Sequence, residues 1–189
     1  MTNVTIFGSG NMGTAIASVL ASGGATVEHL GKEGGTVAGD IVILAVPYPA
    51  LESIVATHGD QFAGKIVVDI TNPLDFSTFA SLIVADGSSA TAELAEALPT
   101  SNVLKAFNTN FAATLGSGKI GSIETTVLIA GDDEAAKQTL ATLVTAGGVQ
   151  AIDAGSLKRA HELEAAGFLQ LTLAAGEKIG WTGGFGIVR

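Results

Sequence analysis

The run Gly8-Ser9-Gly10-Asn11-Met12-Gly13 has the spacing G-x-G-x-x-G, and the chemistry served by that spacing is the binding of two linked phosphates. The first glycine makes a tight turn out of a strand, the second lets backbone approach a pyrophosphate, and the third lets a helix pack on the strand. The N-terminus of the helix adds unpaired N–H groups and partial positive charge. In a chain with 25 glycines such a motif counts only in context. Val4 to Phe7 reads as a strand leading into it. Asn11 to Ser22 reads as the helix leaving it, with Ile16, Val19 and Leu20 at helical spacing and Gly23-Gly24 as its stop. A plain turn does not require three glycines in this register, so Gly8, Ser9, Gly10, Asn11, Met12 and Gly13 are expected to hold a dinucleotide.

The choice of dinucleotide depends on the end of the second strand, where an Asp or Glu would hold the ribose 2′-hydroxyl of NAD. Here the stretch is Leu30-Gly31-Lys32-Glu33. No acid sits at the strand tip, and Lys32 is placed to pair with a 2′-phosphate. This favours NADP, while Glu33 leaves NAD open. Only residues 31–40 join this strand to the next. Ten extended residues reach about 33 Å, enough to recross the sheet but too few to carry a helix as well. The third strand of the usual dinucleotide-binding half is therefore expected to be missing, leaving the adenine site exposed.

The remaining candidate chemistry is sparse, with three His, one Tyr and no Cys. Disulfides, thiolate metal sites and cysteine nucleophiles are thereby excluded. His29 falls on a strand, His58 after a helix and His161 among charges on a helix; each reads as structural or solvated, and their spacing suggests no metal site. Asn72 and Asn108 each follow a strand end, where both turn capping and ligand contact are open readings. The tail Gly180-Trp181-Thr182-Gly183-Gly184-Phe185-Gly186 sets the single Trp in a flexible frame, suited either to covering a ring or to anchoring a terminus or dimer.

Elements that would position these residues alternate between Val/Ile-rich runs and helical stretches, the pattern of an α/β, doubly wound, mostly parallel Rossmann sheet. Strands are expected at Val27 to Leu30, Ile41 to Val46, Lys65 to Ile70, Val103 to Phe107, Thr126 to Ala130 and Val149 to Asp153. Helices are expected from Pro49 through Thr57, at Ser89 to Leu98 and at Asp133 to Ala146. Ser156 to Ile179 reads as one C-terminal helix capped by Ser156, apolar nearly all round from Ala165 to Ala175, and followed by a short tail. Such a helix wants burial in the core or in a homodimer interface. The 189 residues fit a single NAD(P)-binding domain, 1–189. A net charge of −9 argues against nucleic acid and anionic membrane as partners. No signal peptide or membrane span is read, and a cytoplasmic location is the expectation.

Taken in order, Gly8 to Gly13, Ala45-Val46-Pro47, Val68 to Pro73, Val103 to Thr109, Gly131-Asp132-Asp133 with Ala136, and Asp153 to Leu157 with Ala160 and Glu162-Leu163-Glu164 resemble the deazaflavin (coenzyme F420)-dependent NADP oxidoreductase family over nearly the full chain. Membrane metalloreductases with a related cytoplasmic domain carry a similar Lys-Ala-Phe-Asn run. The resemblance implies hydride transfer between NADP(H) and a deazaflavin or flavin-type ring. It places Val46, Pro47 and Tyr48, Thr71, Asn72 and Pro73, and Phe107, Asn108 and Thr109 around the nicotinamide. Such a transfer asks mainly for two rings stacked about 3 to 3.5 Å apart, with no obligatory acid or base. No catalytic side chain is assigned. Pyrroline-carboxylate reductases and hydroxyacid dehydrogenases share the loop but need a helical substrate domain, for which 36 residues after Asp153 are too few. A non-enzymatic NADP(H) sensor module is the alternative.

Overall fold

The computed structural model describes residues 2–31 and 34–188. Strand β1 (Asn3–Phe7) leads through the glycine loop into helix α1 (Asn11–Ser22), then β2 (Thr26–Leu30), β3 (Ile41–Leu44), α2 (Leu51–His58) and β4 (Ile66–Asp69). The second half follows as α3 (Ala90–Ala97), β5 (Asn102–Lys105), α4 (Ala112–Ser117), the short β6 (Lys119–Ile120) and β7 (Ile123–Glu124), β8 (Thr126–Gly131), α5 (Glu134–Ala146), β9 (Gln150–Gly155) and α6 (Ala160–Ala175). One sheet takes seven strands in the order β2-β1-β3-β4-β5-β8-β9. Neighbours run parallel except β5 and β8, which are antiparallel through Leu104↔Gly131 and Lys105↔Ala130.

Alternation along the strands builds two cores. Val4 and Ile6 of β1, Ile41 and Ile43 of β3, Val68 of β4 and Leu104 of β5 face α1 and α5. Phe7, Val42, Leu44, Val67 and Val103 face Leu51 of α2 and Leu94 of α3 on the other side. Burial on both faces is why these strands are nearly all apolar, each large side chain contributing roughly 1.5–3 kcal/mol.

Among the described residues no strand lies between β2 and β3, and β2 stands at the edge of the sheet, in line with the expected omission of a third strand. The connection to β3 passes the start of β1, where Gly39 N donates to Thr5 Oγ1 (2.9 Å) and Asp40 N to Asn3 O (2.9 Å). Lys32, the expected 2′-phosphate partner, lies outside the described residues.

Several boundaries differ from expectation: β5 ends at Lys105 rather than Phe107, whose φ of +63° is not that of a strand, and β9 runs on to Gly155 rather than Asp153. The third strand stops at Leu44 rather than Val46: Ala45 N still bonds Phe7 O, but Pro47 lacks the N–H that would continue the ladder. The C-terminal segment is not one helix from Ser156 to Ile179. A 3₁₀ turn at Leu157–Arg159 precedes α6, and the Ser156 side chain caps nothing. The helix ends at Ala175 because Gly176 and Glu177, with φ +56°, turn the chain so that Lys178 N closes on Leu173 O (2.9 Å). The helix α4 and the β6–β7 hairpin were not foreseen. Among the described residues no helix is long and apolar enough to cross a membrane.

Candidate functional site

The glycines of the loop divide into two kinds. Gly8 has φ +102°, and a Cβ there would lie 2.2 Å from Ala45 O; one on Gly13 would lie 2.4 Å from Gly8 O. Both are needed to join β1, α1 and β3 at close range. Gly10 differs. Its backbone is extended (φ −72°, ψ −176°) at the N-terminus of α1, and a Cβ built on it meets no atom within 4 Å. No side chain caps α1 and its first turn holds no acid. By contrast α3 and α5 are capped by Ser89, accepting from Ala92 N, and Asp133, accepting from Ala136 N. The loop is held from behind by His29 Nδ1, 3.0 Å from Gly8 O. An uncapped helix start facing open space, with no side chain in the way, has unpaired N–H groups and partial positive charge of the kind that suit an anion.

That open space belongs to a cavity of about 770 Å³ across the carboxyl ends of β1, β3, β4 and β5. Gly10, Asn11, Met12 and Gly13 line one end; Val46, Pro47 and Tyr48 line a side; Thr71, Asn72 and Asn108 line the floor. The structure thus brings together most of the residues singled out in the sequence. Gly8, Ser9, Pro73 and Thr109 do not line it; the carbonyls of Pro73 and Thr109 instead accept from Ile83 N (2.7 Å) and Gln170 Nε2 (3.1 Å). Asn110, Phe111, Phe76, Leu171 and Trp181 complete the walls, with Trp181 packed against Phe111 at 5.0 Å between ring centroids. The Tyr48 hydroxyl donates to Glu93 Oε2 (2.5 Å), and that bond to a carboxylate pushes the phenol up to about 12.

Asn108 follows Phe107, which is fully buried at φ +63°. A bulky residue in this region is strained by roughly 1–3 kcal/mol, a cost its buried ring offsets. The twist turns Asn108 so that its Nδ2 donates to Asn72 Oδ1 (2.8 Å) and Leu163 O (2.8 Å), while Asn72 Nδ2 donates to Asn108 O (2.8 Å). Helix α6 reaches this pair at Gly167, where a Cβ would sit 2.4 Å from Asn72 Oδ1.

Comparison with known proteins decides the affiliation. The chain is 32% identical over 155 residues to the F420-dependent NADP reductase of Methanocaldococcus jannaschii, an alignment covering 78% of this chain and 68% of that protein. The chain belongs to the F420-dependent NADP reductase family. The family model described as NADP oxidoreductase, coenzyme F420-dependent, matches residues 30–73. Rat metalloreductase STEAP3 is 30% identical over 181 residues; the match takes in 86% of this chain but only 36% of that protein. A crystal structure of a candidate F420-dependent NADP reductase from Arthrobacter sp. FB24 superposes with a TM-score of 0.85 at 23% identity, covering 100% of both chains, a likeness of fold.

Beneath the cavity floor of this F420-dependent NADP reductase family member lies an ionic network that sequence reasoning did not assign. Lys105 Nζ contacts Asp69 Oδ2 (2.8 Å), Glu164 Oε1 (2.8 Å) and Thr71 O (2.5 Å), and the three charged side chains are fully buried. Asp69 Oδ1 accepts from Thr71 N (2.8 Å), while Glu164 Oε2 accepts from Ala90 N (3.0 Å) at the start of α3. Two carboxylates thus share one ammonium, and burial raises the Glu164 carboxyl above its usual range although Lys105 opposes this. The available signal was Lys105 and Asp69 themselves, each a charge at the end of an otherwise apolar strand. The three histidines have structural contacts: His29 on the loop, His58 against the Phe7 ring at 5.1 Å, and His161 Nδ1 2.8 Å from Ser88 O.

Proposed function

We propose that the protein is an NADP(H)-dependent oxidoreductase that moves a hydride between the nicotinamide and a deazaflavin or flavin-type ring within the 770 Å³ cavity. The observation that carries this reading is the α1 N-terminus, uncapped and open above Gly10 at one end of that cavity. The backbone N–H groups of the first turn would hold the pyrophosphate, and the 2′-phosphate would fall to Lys32. When bound, NADPH supplies the hydride equivalent itself. The protein's part is to orient and to dry the reacting faces. Met12, Val46, Pro47 and Ile70 give apolar walls, and Tyr48, committed to Glu93, stays a neutral phenol at physiological pH. No side chain is required to move a proton for ring-to-ring hydride transfer, and we assign none that role.

The test is NADPH oxidation followed at its absorbance band with deazaflavin, FMN and FAD offered in turn. Turnover with the deazaflavin is expected. Protection of NADPH or quenching of Trp181 without turnover on any ring would support the sensor module instead. Location in the cell, a single-domain organisation and a homodimer remain part of the same proposal.

A further inference from the structure

Among the described residues that line the candidate cavity there is no Asp, Glu, Lys, Arg or His. Charge reaches it from residues behind the walls. Tyr48 is bonded to Glu93, which is exposed and therefore screened by water. Thr71 is bonded twice to the buried network beneath the floor: Lys105 Nζ donates to its carbonyl (2.5 Å), and its N–H donates to Asp69 Oδ1 (2.8 Å). The network thus stands one residue away from the cavity. Its field also reaches the side wall, where the Tyr48 phenol, raised first by its bond to Glu93 and by burial, is raised further by the charges of Glu164 and Asp69.

One ammonium faces two carboxylates, all three fully buried, which leaves one negative charge unbalanced. Stability alone does not call for such a cluster, since apolar packing of similar volume is often as stable or more so. Its place beside the cavity gives it something to act on. A dihydronicotinamide ring is neutral, and the loss of a hydride turns it into a pyridinium with one positive charge. The phosphates are the same in both forms. Buried charges act through a medium that screens far less than water does, so an unbalanced carboxylate behind the floor stabilises the cationic ring over the neutral one.

We infer that Asp69, Lys105 and Glu164 set the preference of this site between the oxidised and the reduced dinucleotide, their excess negative charge favouring NADP+ over NADPH. This inference rests on the proposed binding of NADP(H). It adds a part in the balance between the two forms for three side chains that do not line the cavity.

The test is the ratio of the dissociation constants of NADP+ and NADPH, each taken by calorimetry at pH 8.5 so that Glu164, whose carboxyl burial raises, is ionised. Glu164→Gln leaves one ammonium against one carboxylate, and NADP+ should weaken relative to NADPH by about threefold or more. Adding Lys105→Met leaves Asp69 alone, still accepting from Thr71 N (2.8 Å) and Thr91 Oγ1 (2.7 Å), and restores the unbalanced negative charge. The ratio should then return toward wild type although the network is more damaged. A purely structural role would change both affinities by the same factor. A ratio that Glu164→Gln does not move, or that the double variant drives further the same way, would overturn the inference. Should the double variant fail to fold, Glu164→Gln decides alone. If neither dinucleotide binds the unaltered protein, the proposed function falls; if both bind and Glu164→Gln leaves their ratio in place, this inference alone falls.

Discussion

At the scale of single residues, Gly10 and Gly13 separate ligand binding from folding. A methyl on Gly13 would press on Gly8 O at 2.4 Å, and backbone cannot yield there without moving β1 from α1. Gly13→Ala is expected to destabilise by about 1–3 kcal/mol, as overpacking generally does, read as a lowered urea midpoint. A methyl on Gly10 touches no protein atom, and its φ of −72° suits alanine, so Gly10→Ala should change stability by about 1 kcal/mol or less. It would instead occupy the space assigned to the phosphates, and NADPH affinity should drop tenfold or more while the melting temperature hardly moves. Unchanged affinity would mean the phosphates lie elsewhere. The motif was legible because its spacing and backbone demands are local to six residues. Asn110 was not: its exposed-looking place in Asn108-Thr109-Asn110 gains meaning only from a bond to Thr126, sixteen residues on in the chain.

At the scale of elements, Lys105 ties β4, β5, α3 and α6 together below the site, and its partner Glu164 gives that junction a pH dependence. Burial places the Glu164 carboxyl above its usual 4.5 in the folded protein. A raised carboxyl favours the folded state below the unfolded value, and that contribution is lost as pH rises through the folded one. Glu164→Gln removes this loss. The amide must also turn an N–H toward one of the donors that Glu164 now accepts from, a penalty independent of pH, so the reading lies in the slope. Urea midpoints taken from pH 4.5 to pH 8 should show the variant gaining on wild type as pH increases; a constant difference would mean Glu164 titrates normally. The elements themselves were largely legible, since strands buried on both faces must be apolar and their helices carry Ser, Asp or Gly at the ends. Two features were not. Helix α4 is six residues long with Phe111 at its N-cap and no side-chain cap, so it has no local signature. The reversal of β8 against β5 rests on a pairing, Leu104 with Gly131, that nothing in either segment announces.

At the scale of the whole molecule, the chain after α6 is the part whose purpose the sheet does not dictate. It is tied to the site by one relay: Phe185 N donates to Gln170 Oε1 (2.7 Å), and the same buried glutamine donates to Thr109 O (3.1 Å) beside the asparagine floor. The relay lays Trp181 against Phe111 at the cavity wall with 54% of its surface still exposed. Phe76, also exposed, lines the same cavity. An exposed indole beside a cavity that faces a second apolar ring is suited to stacking a flat acceptor, whereas the pyrophosphate end lies with the α1 loop and does not involve the tail. Ending the chain after Ile179 should therefore raise the KM for the acceptor several-fold and leave NADPH binding close to wild type, in a protein whose circular dichroism still shows the αβ sheet. Light scattering on both forms distinguishes the other role open to Trp181, Phe185 and Val188. A full-length dimer that becomes monomeric on truncation, with acceptor turnover unchanged, would make the tail an assembly element and remove it from the acceptor site.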